Sequence, residues 1–191
     1  MIRRVFVGYP RALFCLFAVF LLVTARISVA ADEAPATVNG EVVEVLEWDH
    51  LMPADFTLEG IIDVEEFSAL DDLDPRAAEL MDQLQVALQS APIVPEMDGK
   101  MAKVPGFVVP IEGEGRVIYK FFLVPYFGAC IHTPPPPSNQ IIYVEYEPGV
   151  TLESIYDAVW VTGKLKTETF SHELASSGYG MEAFRIEPYE Y

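Results

Sequence analysis

Cys130 and His132 lie two apart, in a run that reads Tyr126, Phe127, Gly128, Ala129, Cys130, Ile131, His132, Thr133, four prolines from Pro134 to Pro137, then Ser138, Asn139 and Gln140. In extended backbone, residues two apart point to the same side, so thiol and imidazole could share a metal ion or a proton. Three readings follow. Thiolate and imidazole could supply two ligands to zinc or copper, with His50, His172 or Asp49 completing the set. Cys130 could be a nucleophile activated by His132 as base, with Asn139 or Asp49 orienting the imidazole. Alternatively Cys130 packs as a small apolar residue and His132 bonds to the loop backbone. The spacing leaves all three open.

Four consecutive prolines hold the backbone in an extended polyproline form without donors, so this loop is stiff. Asn139 and Gln140 read as scaffold, their amides satisfying groups that a proline-rich loop leaves unpaired. Tyr126 and Phe127, with the proline run, would suit a contact surface for another protein. His50 and His172 read as ordinary surface or loop histidines. Tyr179, Tyr189 and Tyr191 read as residues that close a core.

The elements around this loop begin with a targeting segment. Arg3, Arg4 and Arg11 precede the apolar run Leu13 to Val23, and Ser28-Val29-Ala30 follows, which is the three-part pattern of a secretory signal peptide cleaved after Ala30. The run is shorter than the roughly 20 residues that span a bilayer, so no stable anchor is expected after cleavage. Cys15 lacks the small residues that precede a lipidated cysteine. Cleavage removes four arginines and no acids, leaving eight basic against 29 acidic residues, a formal charge near −21. Such a field repels phosphate backbones and excludes nucleic acid as a partner, while it favours cations. Cys130 is then the one cysteine left in an oxidising compartment, without an internal disulfide partner.

About 160 mature residues suit one compact domain with an arm. Residues 31–100 are expected to form an N-terminal arm, with an extended segment at Val42 to Leu46, the Trp48 to Pro53 segment docked on a core, and a helix over about 74–90. Asp74 caps that helix, Pro75 takes its first position, and Leu80, Leu84 and Leu88 line the inward face with Ala77, Met81 and Ala87 beside them. Residues 101–191 alternate as strands do, with the period changing at residue 104. Five strands are predicted: Phe107 to Ile111, Val117 to Val124, Gln140 to Tyr146, Val159 to Leu165 and Glu182 to Ile186. A Pro148-Gly149 turn and a short helix from Thr151 through Asp157 separate the third and fourth. The chain is therefore expected to be mainly β with an α-helical N-terminal arm, an α+β protein around a five-stranded OB-like barrel. It carries no internal repeat, nucleotide-binding glycine loop or serine-hydrolase elbow.

The segments Val104 to Ile111 and Phe121 to Gln140 resemble the core signature of a bacterial family, domain of unknown function 3299 (DUF3299). Trp48 to Pro53, Val159 to Lys164 and Gly178 to Tyr189 look like further family segments. The resemblance implies export to the periplasm of a Gram-negative bacterium and a link to envelope transporters and zinc supply, with Cys130, His132, Asn139 and Gln140 inside the signature. The expected function is that of a non-catalytic periplasmic accessory or binding protein, linked to zinc or assisting an envelope transporter. The alternatives are a thiol enzyme using Cys130 and His132, or an adaptor docking a membrane partner through the Tyr126 to Gln140 loop.

Overall fold

β-branched and aromatic residues crowd the second half of the chain, and all five long strands of the described residues lie there. The computed structural model describes residues 37–38, 40–71, 74–129, 135–154 and 156–190. The expected signal peptide falls within residues 1–36, outside the described residues, and so do Cys130, His132 and Tyr191.

The first described elements are short. β1 (Thr37–Val38) and β2 (Glu41–Val42) form a hairpin, and β3 (Glu44–Val45) lies parallel to the start of a later strand. A 3-10 turn, Trp48–Leu51, carries Leu51 into the interior. Two helices follow. α1 (Val64–Ala69) starts at Asp63, whose carboxylate accepts from the Glu66 amide. α2 (Pro75–Gln89) starts at Asp74, whose carboxylate accepts from the Arg76 amide, with Pro75 at the first position where its missing N–H costs nothing. Leu80 is buried and Leu84 and Leu88 are half-buried, whereas Met81, expected beside them, is exposed.

Seven strands complete the chain: β4 (Met101–Glu114), β5 (Val117–Val124), β6 (Ile142–Val150), β7 (Ala158–Lys166), β8 (Phe170–Ser171), β9 (Ser176–Ser177) and β10 (Tyr179–Pro188). Five of them close a barrel in the order β4-β5-β6-β10-β7, with β7 returning to β4. All neighbours are antiparallel except β6 and β10, which run parallel. β4 serves two partners, pairing with β7 from Met101 to Phe107 and with β5 from Phe107 to Glu114. At this change of partner a Cβ on Gly106 would stand 2.7 Å from the Val124 carbonyl oxygen, so only glycine admits the approach.

Several sequence expectations need correction. β4 begins at Met101, six residues before Phe107, because its first half is held by β7 across a Pro105-Gly106 pair that obscures the alternation. β6 begins at Ile142, since Gln140 belongs to the 3-10 turn Ser138–Gln140. That strand also passes through Pro148-Gly149 instead of turning there. Gly149 has a φ of 75°, and a Cβ on it would collide with Val117, beside a register shift between Ile118 and Lys120. None of the described residues of the segment 151–157 is helical. A tight turn replaces the helix, in which the Ser154 amide donates to the Asp157 carboxylate at 3.0 Å and the Asp157 amide to the Ser154 carbonyl at 3.1 Å. β10 starts at Tyr179 and carries a bulge between Ala183 and Arg185.

The barrel interior holds Val104, Phe121, Leu123, Val144, Val161 and Leu165, all inaccessible to solvent, and Leu46 and Leu51 from upstream join the same cluster. A second apolar layer, with Val109, Phe122, Val124 and Ile141, includes Ala175 from the β8–β9 connection. Tyr143 stacks on Phe170 there with ring centroids 3.8 Å apart.

Candidate functional site

The signature segment leaves the barrel at the end of β5 and returns at the start of β6, and both ends are anchored. On the outgoing side Ala129 is buried and Gly128 sits at a φ of 83°, a left-handed conformation that glycine adopts without penalty. On the returning side the Ser138–Gln140 turn is tied to the upstream chain. The Asn139 amide nitrogen donates to the Pro92 carbonyl at 2.8 Å, and the Gln140 amide nitrogen donates to the Trp48 carbonyl at 2.9 Å. Ser138 donates its hydroxyl to the Ala91 carbonyl, and the Gly178 amide donates to the Ser138 carbonyl at 2.6 Å. Proline at 134–137 cannot supply amide hydrogens, and the Ser138, Asn139 and Gln140 side chains instead donate to carbonyls of the upstream chain. Asn139 is fully buried, and its Oδ1 has no hydrogen-bond partner among the described residues.

Tyr179 holds the same corner from β10. Its hydroxyl donates to the Leu51 carbonyl at 2.9 Å and accepts from the Val94 amide at 2.7 Å. Burial raises its pKa, and the Val94 hydrogen bond opposes that shift.

Tyr126 and Phe127, on the outgoing side, are 44% and 37% exposed. Phe127 packs against Tyr156, itself 66% exposed, with centroids 4.5 Å apart, and meets Phe107 edge-on at 6.2 Å. Beside them lies a recess of about 270 Å³ walled by Trp48, Pro105, Phe107, Pro125 and Tyr189. The Trp48 indole N–H donates to the Pro105 carbonyl at 2.8 Å, and Tyr189 rests on Trp160 at 5.1 Å. Tyr126, Phe127 and Tyr156 thus form a group of exposed aromatic side chains beside the signature. Sequence reading singled out Tyr126 and Phe127 and not Tyr156, which lay inside the helix expected from Thr151 through Asp157.

Cys130 and His132, the tentative metal pair and alternative catalytic pair, lie outside the described residues. Of the residues proposed to complete a zinc set, His50 Nδ1 accepts from the Glu47 amide at 3.0 Å and His172 Nδ1 from the Leu174 amide at 3.3 Å. Those hydrogen bonds engage Nδ1 of each ring in its local turn. These two histidines fit caps of local turns better than zinc ligands. Among the described residues no three His, Cys, Asp or Glu side chains gather as a cation site. At Tyr143 burial, then its hydrogen bond to Glu145 at 3.0 Å, pushes the pKa up to about 12.

The family model for a protein of unknown function, DUF3299, matches residues 48–188. The chain belongs to the DUF3299 family. That span takes in the Trp48 turn, the signature loop and all five barrel strands. A crystal structure of a DUF3299 protein from Pseudomonas aeruginosa PAO1 is similar at 39% identity, covering 78% of this chain and 98% of that one with a TM-score of 0.59. An OBody bound to hen egg-white lysozyme aligns at 19% identity over 50% of this chain and 86% of that one, with a TM-score of 0.33, too low to bear on the fold. No curated protein matches.

Proposed function

We propose that this DUF3299 protein is a non-catalytic accessory protein of the Gram-negative periplasm, an OB-type barrel that docks a protein partner in the envelope through the aromatic face at Tyr126 and Phe127. The observation that carries the reading is the exposed Tyr126, Phe127 and Tyr156 group, set on a barrel corner braced by Asn139, Gln140 and Tyr179. Aromatic side chains offer large contact area for little conformational entropy, and they anchor protein interfaces when held rigidly. The strand order supports the OB-type label. Export is supported by the signal pattern of residues 1–30. No helix of the described residues is long and apolar enough to cross a membrane.

Replacing Tyr126 and Phe127 together by serine tests the reading. Retention of the tagged protein with washed membranes should fall at least about tenfold, with the melting temperature within about 2 °C of the parent because both side chains are exposed. Unchanged retention would contradict it.

One observation favours a second reading, thiol chemistry at Cys130 with His132. Asn139 Oδ1 is a buried acceptor without a partner among the described residues, the kind of group that orients an imidazole N–H. That reading requires a depressed thiol pKa and therefore rapid alkylation of Cys130 by iodoacetamide at neutral pH. Alkylation only after denaturation would remove it.

A further inference from the structure

Trp48, Phe107 and Tyr189 come from distant parts of the chain and wall one recess of about 270 Å³, each of them half-buried. Trp48 opens the 3-10 turn Trp48–Leu51, Phe107 stands where β4 changes partner, and Tyr189 follows the last residue of β10. A different neighbour holds each ring. The Trp48 indole N–H donates to the Pro105 carbonyl at 2.8 Å, and Phe107 meets Phe127 edge-on at 6.2 Å. The Tyr189 ring rests on Trp160 at 5.1 Å, while its amide donates to the Ala158 carbonyl at 3.0 Å. Three aromatic walls therefore stand in place before a ligand arrives, which lowers the entropy lost on binding.

The same wall is poor in groups that replace water. Pro105 and Pro125 carry no amide hydrogen, the Trp48 N–H is spent, and the Pro105 and Ala158 carbonyls already accept a hydrogen bond. A phosphate, a carboxylate or a sugar would lose its hydration there for little return. A primary ammonium fares no better, since it is strongly hydrated and carries three donors that need acceptors. A trimethylammonium group has the charge without the donors, and aromatic faces attract it directly. The charge of the surroundings agrees. Glu47, which is exposed, is the one charged residue among the described residues of the wall, and in the whole sequence acidic residues outnumber basic ones 29 to 12. Lys103 stands outside the wall, over the Trp160 ring at 5.1 Å from its centroid, and pairs with Glu187 at 3.3 Å.

We propose that this recess binds a trimethylammonium group, with Trp48, Phe107 and Tyr189 facing the methyls and Glu47 balancing the charge. The site does not rest on the docking reading, because Tyr126 is no part of its wall.

The probe is choline, titrated against the intact protein by tryptophan fluorescence, since Trp48 lines the recess. Choline should change the signal saturably. 3,3-Dimethylbutanol, in which carbon replaces the charged nitrogen, should bind at least about tenfold more weakly, and ethanolamine, a primary ammonium, at least about fivefold more weakly. Tyr189→Leu should weaken choline binding at least about fivefold. Glu47→Gln should weaken it about threefold, and because Glu47 is exposed this variant keeps the test open if Tyr189→Leu fails to fold. Tyr126→Ser should leave it unchanged while testing the docking face, so the two readings can fail separately. Phosphatidylcholine vesicles, in a sedimentation assay, distinguish a lipid headgroup from a soluble cation. Binding of either choline or these vesicles supports the site if Glu47→Gln or Tyr189→Leu weakens it. Equal binding of choline and 3,3-dimethylbutanol would reduce the recess to an apolar pocket and overturn the proposal, as would binding indifferent to both substitutions, or no binding of choline or vesicles.

Discussion

Tyr179 joins two upstream segments through one hydroxyl. It donates to Leu51 and accepts from Val94, and no solvent reaches it to replace either bond. Tyr179→Phe leaves a buried carbonyl and a half-buried amide unpaired, and should cost about 1–3 kcal/mol in urea denaturation. Tyr143 makes a different prediction. Its pKa in the folded protein stands at about 12 against an unfolded value near 10. Above pH 10 the unfolded chain loses this proton while the folded protein keeps it, so the group's contribution is complete below pH 10 and declines between pH 10 and 12. Tyr143→Phe should therefore reduce the drop in urea midpoint between pH 9 and 11; an undiminished drop would assign the alkaline loss elsewhere, with buried Tyr179 first in line. At this scale much was readable. Asn139 and Gln140 follow from a proline run that needs substitutes for its missing amides, and Tyr179 from its place in an apolar terminal segment. Tyr156 was not readable, since its exposure depends on a turn closed by Ser154 and Asp157 where local pattern suggested a helix. Asn139 Oδ1 and its lack of a partner also lie beyond sequence, because they depend on what surrounds the side chain in space.

Among the elements, α2 was the plainest, because Asp74, Pro75 and the leucines at intervals of four all report the same local geometry. β7 was equally plain, its Val159, Val161 and Leu165 turned inward between less buried neighbours. β4 was only half legible. Its first seven residues depend on β7, more than fifty positions away, and Pro105 and Gly106 interrupt the alternation where the strand changes partner. The same interruption is what the barrel needs, since any Cβ at 106 meets both the Val124 carbonyl and the Leu123 side chain. Gly106→Ala should destabilise the protein by about 1–3 kcal/mol through overpacking, measured as a lower urea midpoint with an unchanged m-value. An unchanged midpoint would mean that β4 and β5 can separate there at no cost. The parallel pairing of β6 with β10 leaves no local trace in sequence, as it joins strands separated by β7 and the β8–β9 hairpin.

At the scale of the molecule, a small closed barrel carries a strongly acidic surface and one exposed aromatic group beside its least ordinary loop. Both fit a protein that recognises another protein, with charge governing approach and aromatic contact governing residence. The sign of the charge was legible in sequence, and Tyr126 and Phe127, singled out there, are exposed. The proposed docking surface can be tested in living cells with a photo-crosslinking phenylalanine derivative placed at Tyr126 and, in a second strain, at Val86, which is exposed on α2. The account predicts a discrete envelope-protein adduct from position 126, lost with Phe127→Ser, and none from position 86. Matching adducts from both positions, or none from position 126, would contradict it.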